Sequence, residues 1–340
     1  MRALVCQAYG PIENLKVEDV PTPAPKAGEV LVRVGAAGVS FAAMLGVQGK
    51  HQHKPSLPYV PGNEIAGHVV ALGEGVRNVK VGARIATGVG QGGFAEYAVA
   101  VADNVVPIPP IMPYAQATNF PTLYPTAYGV LKWKANLQPG EVLLVHGAGG
   151  GSGLTGIEVG KAMGAVVIAS AGGADKLAAA KEAGADHLID YRTEDLRTKV
   201  LDLTGGRGAD VIYDPVGGSA FDASLRCVAP EGRLIPMGFA SGTIPQIPAN
   251  ILLVKNVTVI GFYYGYYNGW GGKAAPSPKE AAALAKRRAM VAAAQKELMQ
   301  WFTEDKLKAT IAGSFDLGDW VKAFKLIEER TVVGKAVLVP

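Results

Sequence analysis

A chain of 340 residues, 49% of them hydrophobic, is long enough for about two domains at the usual figure of roughly 100–200 residues each. Its formal net charge of +4 is small for that length, and the basic residues are scattered except at Lys286-Arg287-Arg288, which argues against a nucleic-acid partner. Two distant cysteines, Cys6 and Cys227, exclude a disulfide framework and a cysteine-rich zinc lobe. The chain shows no apolar run of signal-peptide or membrane-span length, so the expectation is a soluble protein of a reducing, cytoplasmic compartment.

From Met1 to about Asn119 the apolar runs are short, β-branched and broken by Gly or Pro, as in Val30–Val34, Ile65–Leu72, Arg84–Ala86 and Phe94–Val101. This pattern predicts a compact, barrel-like β domain, with Ser40–Val47 as a short helix. His51-Gln-His53 is a close histidine pair, but it lacks a third ligand and sits between Lys50 and Lys54, so it reads as a solvated loop.

From Thr122 onward strands and helices alternate. Predicted strands are Val142–Val145, Val166–Ala169, His187–Ile189, Val211–Tyr213, Leu234–Met237 and Val257–Phe262, with helices at Leu154–Met163, Asp175–Glu182 and Leu196–Leu203. This spacing suits a doubly wound parallel sheet. Ser277-Pro-Lys-Glu280 is a capping box opening a helix to about Phe302, with Leu284, Val291 and Leu298 on one face. A further helix carries Trp320, Phe324 and Ile327, and a last strand runs from Lys335 to Val339.

The stretch Gly140–Ala165 joins a buried strand to a helix through a turn with five glycines in the seven residues Gly147–Gly153. Glycines there permit positive φ and let backbone N–H groups approach a pyrophosphate at the positive end of the helix. A tight connection without a ligand would not need so many, because each glycine raises the entropy lost on folding. The implied ligand is a dinucleotide. After the second strand, where NAD-binding folds place Asp or Glu, the sequence reads Ala169-Ser-Ala-Gly-Gly-Ala-Asp-Lys176. Ala171 and Gly172 leave room for a phosphate with Lys176 one turn beyond. Lys176 can also be read as an ordinary helix lysine, and Asp175 as a ribose acceptor favouring NADH.

Gly28–Val34, Ala37-Gly-Val-Ser40, Leu57–Glu64, Gly92–Tyr97, Asp214–Gly218 and the glycine stretch together resemble the medium-chain dehydrogenase/reductase superfamily, and within it the zinc-free quinone oxidoreductases of the zeta-crystallin type. The resemblance runs nearly end to end; Glu158 stands where the family signature has Gln. It implies an α/β protein: a GroES-like β-rich catalytic domain (1–121 and 266–340) plus a Rossmann doubly wound parallel sheet (122–265).

The resemblance also implies NADPH as cofactor, with Lys176, Tyr191 and Arg330 around its 2′-phosphate. Gly149, Gly150, Gly151 and Gly172 would form the glycine bed, and Thr126, Ser152, Gly153, Val216, Phe239 and Phe262 would line the pyrophosphate and nicotinamide. Ser40, Asn63 and the neighbourhood of Thr122 match the zinc-ligand positions of the alcohol dehydrogenases, and neutral oxygens are poor zinc ligands, so no metal is expected. The implied reaction is zinc-independent reduction of a quinone or an α,β-unsaturated carbonyl. Tyr59 is the first candidate hydrogen-bond donor, with Ser40 and Tyr124 behind it, although Tyr59 also reads as a half-buried aromatic between Pro58 and Pro61. The rival functions are an enoyl or acryloyl thioester reductase and a non-enzymatic crystallin-like or RNA-binding protein. A homodimer is expected, and the aromatics Phe262–Tyr267 either join its interface or cap a pocket.

Overall fold

The computed structural model describes residues 1–52, 54–269 and 277–340, so His53 lies outside the description. The chain forms two compact units, Met1–Thr122 with Ala309–Pro340, and Leu123–Lys308.

In the first unit the eleven-residue strand Glu29–Val39 organises a seven-stranded sheet. One edge pairs with Glu64–Leu72; the other is shared by Tyr97–Val101 at one end and Lys335–Val339 at the other. Alternate apolar residues fill the core, including Val30, Val32, Ile65, Val69, Ile85 and Phe94. The C-terminal helix Trp320–Glu328 closes it, with Phe324 edge-on to Phe94 at 5.9 Å. The predicted short helix is present as Phe41–Val47, capped by Ser40.

The second unit holds six parallel strands: β1 (Val142–His146), β2 (Val166–Ala171), β3 (His187–Asp190), β4 (Ala209–Asp214), β5 (Val228–Pro236) and β6 (Thr258–Val259). Their order is β3-β2-β1-β4-β5-β6. The apolar runs are continuous because helices cover the sheet: Leu144, Ile168, Ile189, Ile212 and Leu234 share a core with Val200, Phe221 and Leu225. The helices include α1 (Leu123–Tyr128), α2 (Gly151–Ala162), α3 (Ala174–Glu182), α4 (Leu196–Leu203), α5 (Ser219–Cys227), α6 (Ala249–Lys255) and α7 (Pro278–Thr303), with a short turn of helix at Tyr264–Asn268. The strand order reverses between β1 and β4, and in such sheets ligands bind beyond the carboxyl ends at that point.

Two expectations need correction. The last strand is two residues long: Ile260 N still donates to Leu234 O at 2.8 Å, and the chain then leaves the sheet. The chain also returns to the first unit at Ala309, not at 266. The reason lies in α7, which opens with the capping box Ser277/Glu280 but buries mainly its distal part, Ala294, Gln295, Leu298 and Trp301. Trp301 packs on Tyr128 at 5.7 Å, and Glu297 accepts from Lys132 at 2.8 Å and from the Tyr128 hydroxyl, binding this helix to α1 and its π-helical extension Gly129–Lys134.

Candidate active site

The glycine turn leaves β1 through Gly147, whose φ of +58° lies in the left-handed region. Gly150 is the N-cap of α2, and no side chain caps that end. The backbone donors of Gly151, Ser152 and Gly153 therefore open the helix at its positive end, as an anion site requires. Gly153 is there for packing: a Cβ on it would lie 2.3 Å from the Gly147 carbonyl oxygen and 2.7 Å from Ala148 Cα. At Gly150 the nearest atom is the Gly147 carbonyl oxygen at 3.6 Å, an ordinary contact, so a Cβ would fit there. The Ser152 hydroxyl bonds Tyr213 at 3.0 Å, which leaves its backbone N–H as its contribution to an anion.

Val216 adjoins this turn from the end of β4, its Cγ2 lying 3.1 Å from where a Gly147 Cβ would be. The buried Asp214 carboxylate shapes its loop by accepting from Val216 N at 2.8 Å and Gly217 N at 3.0 Å. Burial pushes the imidazole of His146 below its usual pKa, so it stays neutral and bonds Ser224 at 2.8 Å.

At the carboxyl end of β2 stand Gly172 and Gly173. The room expected at Gly172 is already approached by the chain itself: a Cβ there would lie 2.8 Å from the Tyr191 hydroxyl and 2.7 Å from Arg192 Nε. Lys176, in the first turn of α3, lays its stem over the glycine turn, and a Cβ on Gly149 would meet its Cβ and Cγ at 2.5 Å. Lys176 thus meets the turn after β1, and Tyr191 the turn after β2. Arg330 belongs to the other unit, just past the helix Trp320–Glu328, with φ +56°. Arg192 was not among the sequence candidates; its place beside Tyr191 was the only signal, because nothing local shows that the loop after β3 folds back onto the end of β2.

Thr126 sits on α1 with its hydroxyl buried, and among the described residues this hydroxyl has no hydrogen-bond partner. One turn on, Gly129 gives space to Phe262, whose Cζ is 2.7 Å from the place of a Cβ. Phe262 and Phe239 line a depression of about 750 Å³ with Met237, Tyr263, Tyr266 and Tyr267. The aromatics after the last strand thus line a pocket in this unit.

The three catalytic candidates fare differently. Tyr124 is fully buried and gives its hydroxyl to Glu158 at 2.5 Å, so it belongs to the core of the second unit and offers nothing to a substrate. The same Glu158 oxygen also accepts from Lys308 N at 3.0 Å; a Gln amide oxygen could accept both bonds, so they do not account for Glu in place of Gln. Tyr59 is 7% exposed, bridged to Cys6 through both backbones, and its ring lies 6.3 Å from that of Tyr9. Burial, then the neighbouring Cys6 and Tyr9, raises its pKa well above the ordinary tyrosine value, so it keeps its proton but holds it inside the core. Ser40 is half-buried; its Oγ accepts from Ala43 N at 3.1 Å, and its own proton has no acceptor among the described residues. Of the three, Ser40 keeps a hydroxyl to give.

Residues 26–110 match the family model described as alcohol dehydrogenase GroES-like domain, and residues 151–276 match the one described as zinc-binding dehydrogenase. The quinone oxidoreductase-like protein 2 homolog of Nematostella vectensis is 39% identical over 340 residues, covering 99% of this chain and 88% of that protein. The chain belongs to the quinone oxidoreductase-like family of medium-chain dehydrogenases/reductases. Among solved structures, the quinone oxidoreductase of Pseudomonas syringae pv. tomato superposes with a TM-score of 0.87 at 31% identity over 100% of this chain and 99% of that one. The quinone oxidoreductase of Escherichia coli, solved as a complex with NADPH, gives 0.88 at 28% identity over the full length of both. As a quinone oxidoreductase-like chain, it carries a donor set that does not suit the zinc of the second family model's description. Ser40 and Asn63 offer neutral oxygens, and the buried carboxylate of Glu64 is bound at 2.5 Å by Lys335, which also donates to the Thr118 carbonyl at 2.7 Å. Among the described residues no three His, Cys, Asp or Glu gather to hold a metal.

Proposed function

We propose that this protein uses NADPH to reduce quinones or α,β-unsaturated carbonyls without zinc. The observation that carries the reading is the carboxyl end of β2: glycine occupies the place of the ribose-binding acid, and the Tyr191 hydroxyl and Lys176 flank it. The uncapped start of α2 would take the pyrophosphate, and the partnerless Thr126 hydroxyl and the rings of Phe239 and Phe262 would bed the nicotinamide. When bound, NADPH supplies the hydride. With no Lewis acid, the chain's own contribution is to orient a conjugated acceptor and to donate a hydrogen bond to the oxygen that gains charge, a role we assign to Ser40 Oγ.

We further propose a cytoplasmic homodimer. Among the described residues the outer strand β6 pairs with β5 alone, and Leu253 and Val254 on the preceding α6 are 78% and 76% exposed.

The test is a product-resolved screen of the purified protein with NADPH and NADH against naphthoquinones, enones, enoyl thioesters and saturated ketones, with and without chelator. Quinones or enones should turn over fastest, with NADPH, and chelator should leave the rate unchanged. Faster reduction of saturated ketones, or loss of activity with chelator, overturns the assignment.

A further inference from the structure

We infer that Arg192 recognises the cofactor's 2′-phosphate and, together with Gly172, sets the choice of NADPH over NADH. The inference rests on the NADPH reading above and adds a residue to it. The guanidinium lies against the backbone of the β2–α3 turn: besides its Nε at 2.7 Å from a Gly172 Cβ position, its Nη1 is 3.0 Å from that of Gly173, whose φ is +95°. Glycine at both positions is what lets the side chain pass so close.

The placement is fixed from the main chain. One carboxylate, Asp190, accepts from Arg192 N at 3.0 Å and from Gly173 N at 3.3 Å, so the stem of the arginine and the start of α3 are held by the same group. That leaves Asp190 engaged with backbone donors, while Glu194 is paired with Lys199 at 2.9 Å. The guanidinium itself forms no ion pair among the described residues. A planar fork of donors, a phenol and the Lys176 ammonium therefore border the strand end where a dinucleotide places its adenosine ribose. A guanidinium matches a phosphate in bidentate geometry, and an ammonium does so only as a point charge.

The same arrangement would oppose an acid at 172. A carboxylate side chain would meet Arg192 and Tyr191 at contact distance and neutralise the cation intended for the phosphate.

Fluorescence titration with NADPH and NADH, and calorimetry with adenosine 2′,5′-bisphosphate and 5′-AMP, on wild type, Arg192→Ala and Arg192→Lys, tests the assignment without turnover. Arg192→Ala should weaken NADPH and the bisphosphate about tenfold or more, as for one lost charge-assisted hydrogen bond, and leave NADH, 5′-AMP and Tm unchanged. Arg192→Lys should recover part of the loss. Gly172→Asp should lose NADPH affinity comparably. If Arg192→Ala keeps the wild-type preference, or weakens all four ligands alike, the inference is wrong while the NADPH reading stands. A wild type that does not discriminate NADPH from NADH overturns both.

Discussion

In the unit of the parallel sheet the Thr126 hydroxyl has no partner among the described residues and the N-terminus of α2 has no capping side chain, whereas in the β-rich unit Lys335 ends on Glu64 and the ring of Tyr59 is buried beside Tyr9. Both regions carry residue types that look functional in sequence. The difference is in what each group does once the chain folds. A site made of backbone donors and glycines is left open by the fold, because glycine brings no side chain to fill it. In the β-rich unit Lys335 and Glu64 find each other far along the chain and become core.

The sharpest way to break this contrast is at Lys335. Lys335→Met leaves the Glu64 carboxylate buried without its cation and should lower stability by about 3–5 kcal/mol, while Glu64→Leu combined with Lys335→Met should restore most of it. Chemical denaturation measures both. A neutral Lys335→Met would mean that Glu64 is free for other chemistry.

Two glycines of the same turn separate packing from binding. Gly153→Ala drives a Cβ into the Gly147 carbonyl and should cost about 1–3 kcal/mol along with NADPH affinity. Gly150→Ala meets nothing closer than 3.6 Å at a φ of −87°, so its stability should stay within about 0.5 kcal/mol while NADPH binding weakens. Equal effects of the two on stability would show that Gly150 serves the fold.

The smallest effects compare one hydroxyl from each unit. Thr126→Val removes a buried hydroxyl that bonds nothing, so Tm should hold or rise while NADPH affinity falls by about 1 kcal/mol, roughly fivefold. Ser40→Ala removes a helix cap and should cost about 1 kcal/mol of stability. It should also lower kcat and kcat/KM together if the hydroxyl acts in the transition state. Steady-state kinetics alongside thermal melts distinguishes the pair.

The parallel sheet was readable from the sequence because its signals are local. A buried apolar run, a glycine cluster and a helical period follow one another within about twenty-five residues, and β1, α2 and β2 lie where those signals put them. The capping box at Ser277 was equally local. What escaped was built by distance. The Lys335–Glu64 pair spans 271 positions, and no neighbouring residue marks either partner. Tyr59 reads as a cleft donor or as a half-buried aromatic between two prolines, and its backbone bridge to Cys6, far back in the chain, takes the ring into the core. Arg192 reads as a loop arginine until β3 is laid beside β2. The helix α1 lacks a clean polar face because its residues Tyr124, Pro125, Ala127 and Tyr128 are all buried, so no amphipathic period announced it.

The glycines of α2 have a consequence for how the molecule assembles. Gly153, Gly156 and Gly160 let the helix settle on the turn, on the ring of Tyr213 and on Leu143, but each is about 1 kcal/mol less favourable in a helix than alanine. A twelve-residue segment with that composition has no helical structure of its own in water. It winds up only against a sheet already in place. The nucleotide cradle therefore forms as one event with the docking of α2, so whatever loosens α2 from the sheet also dismantles the anion site at its start.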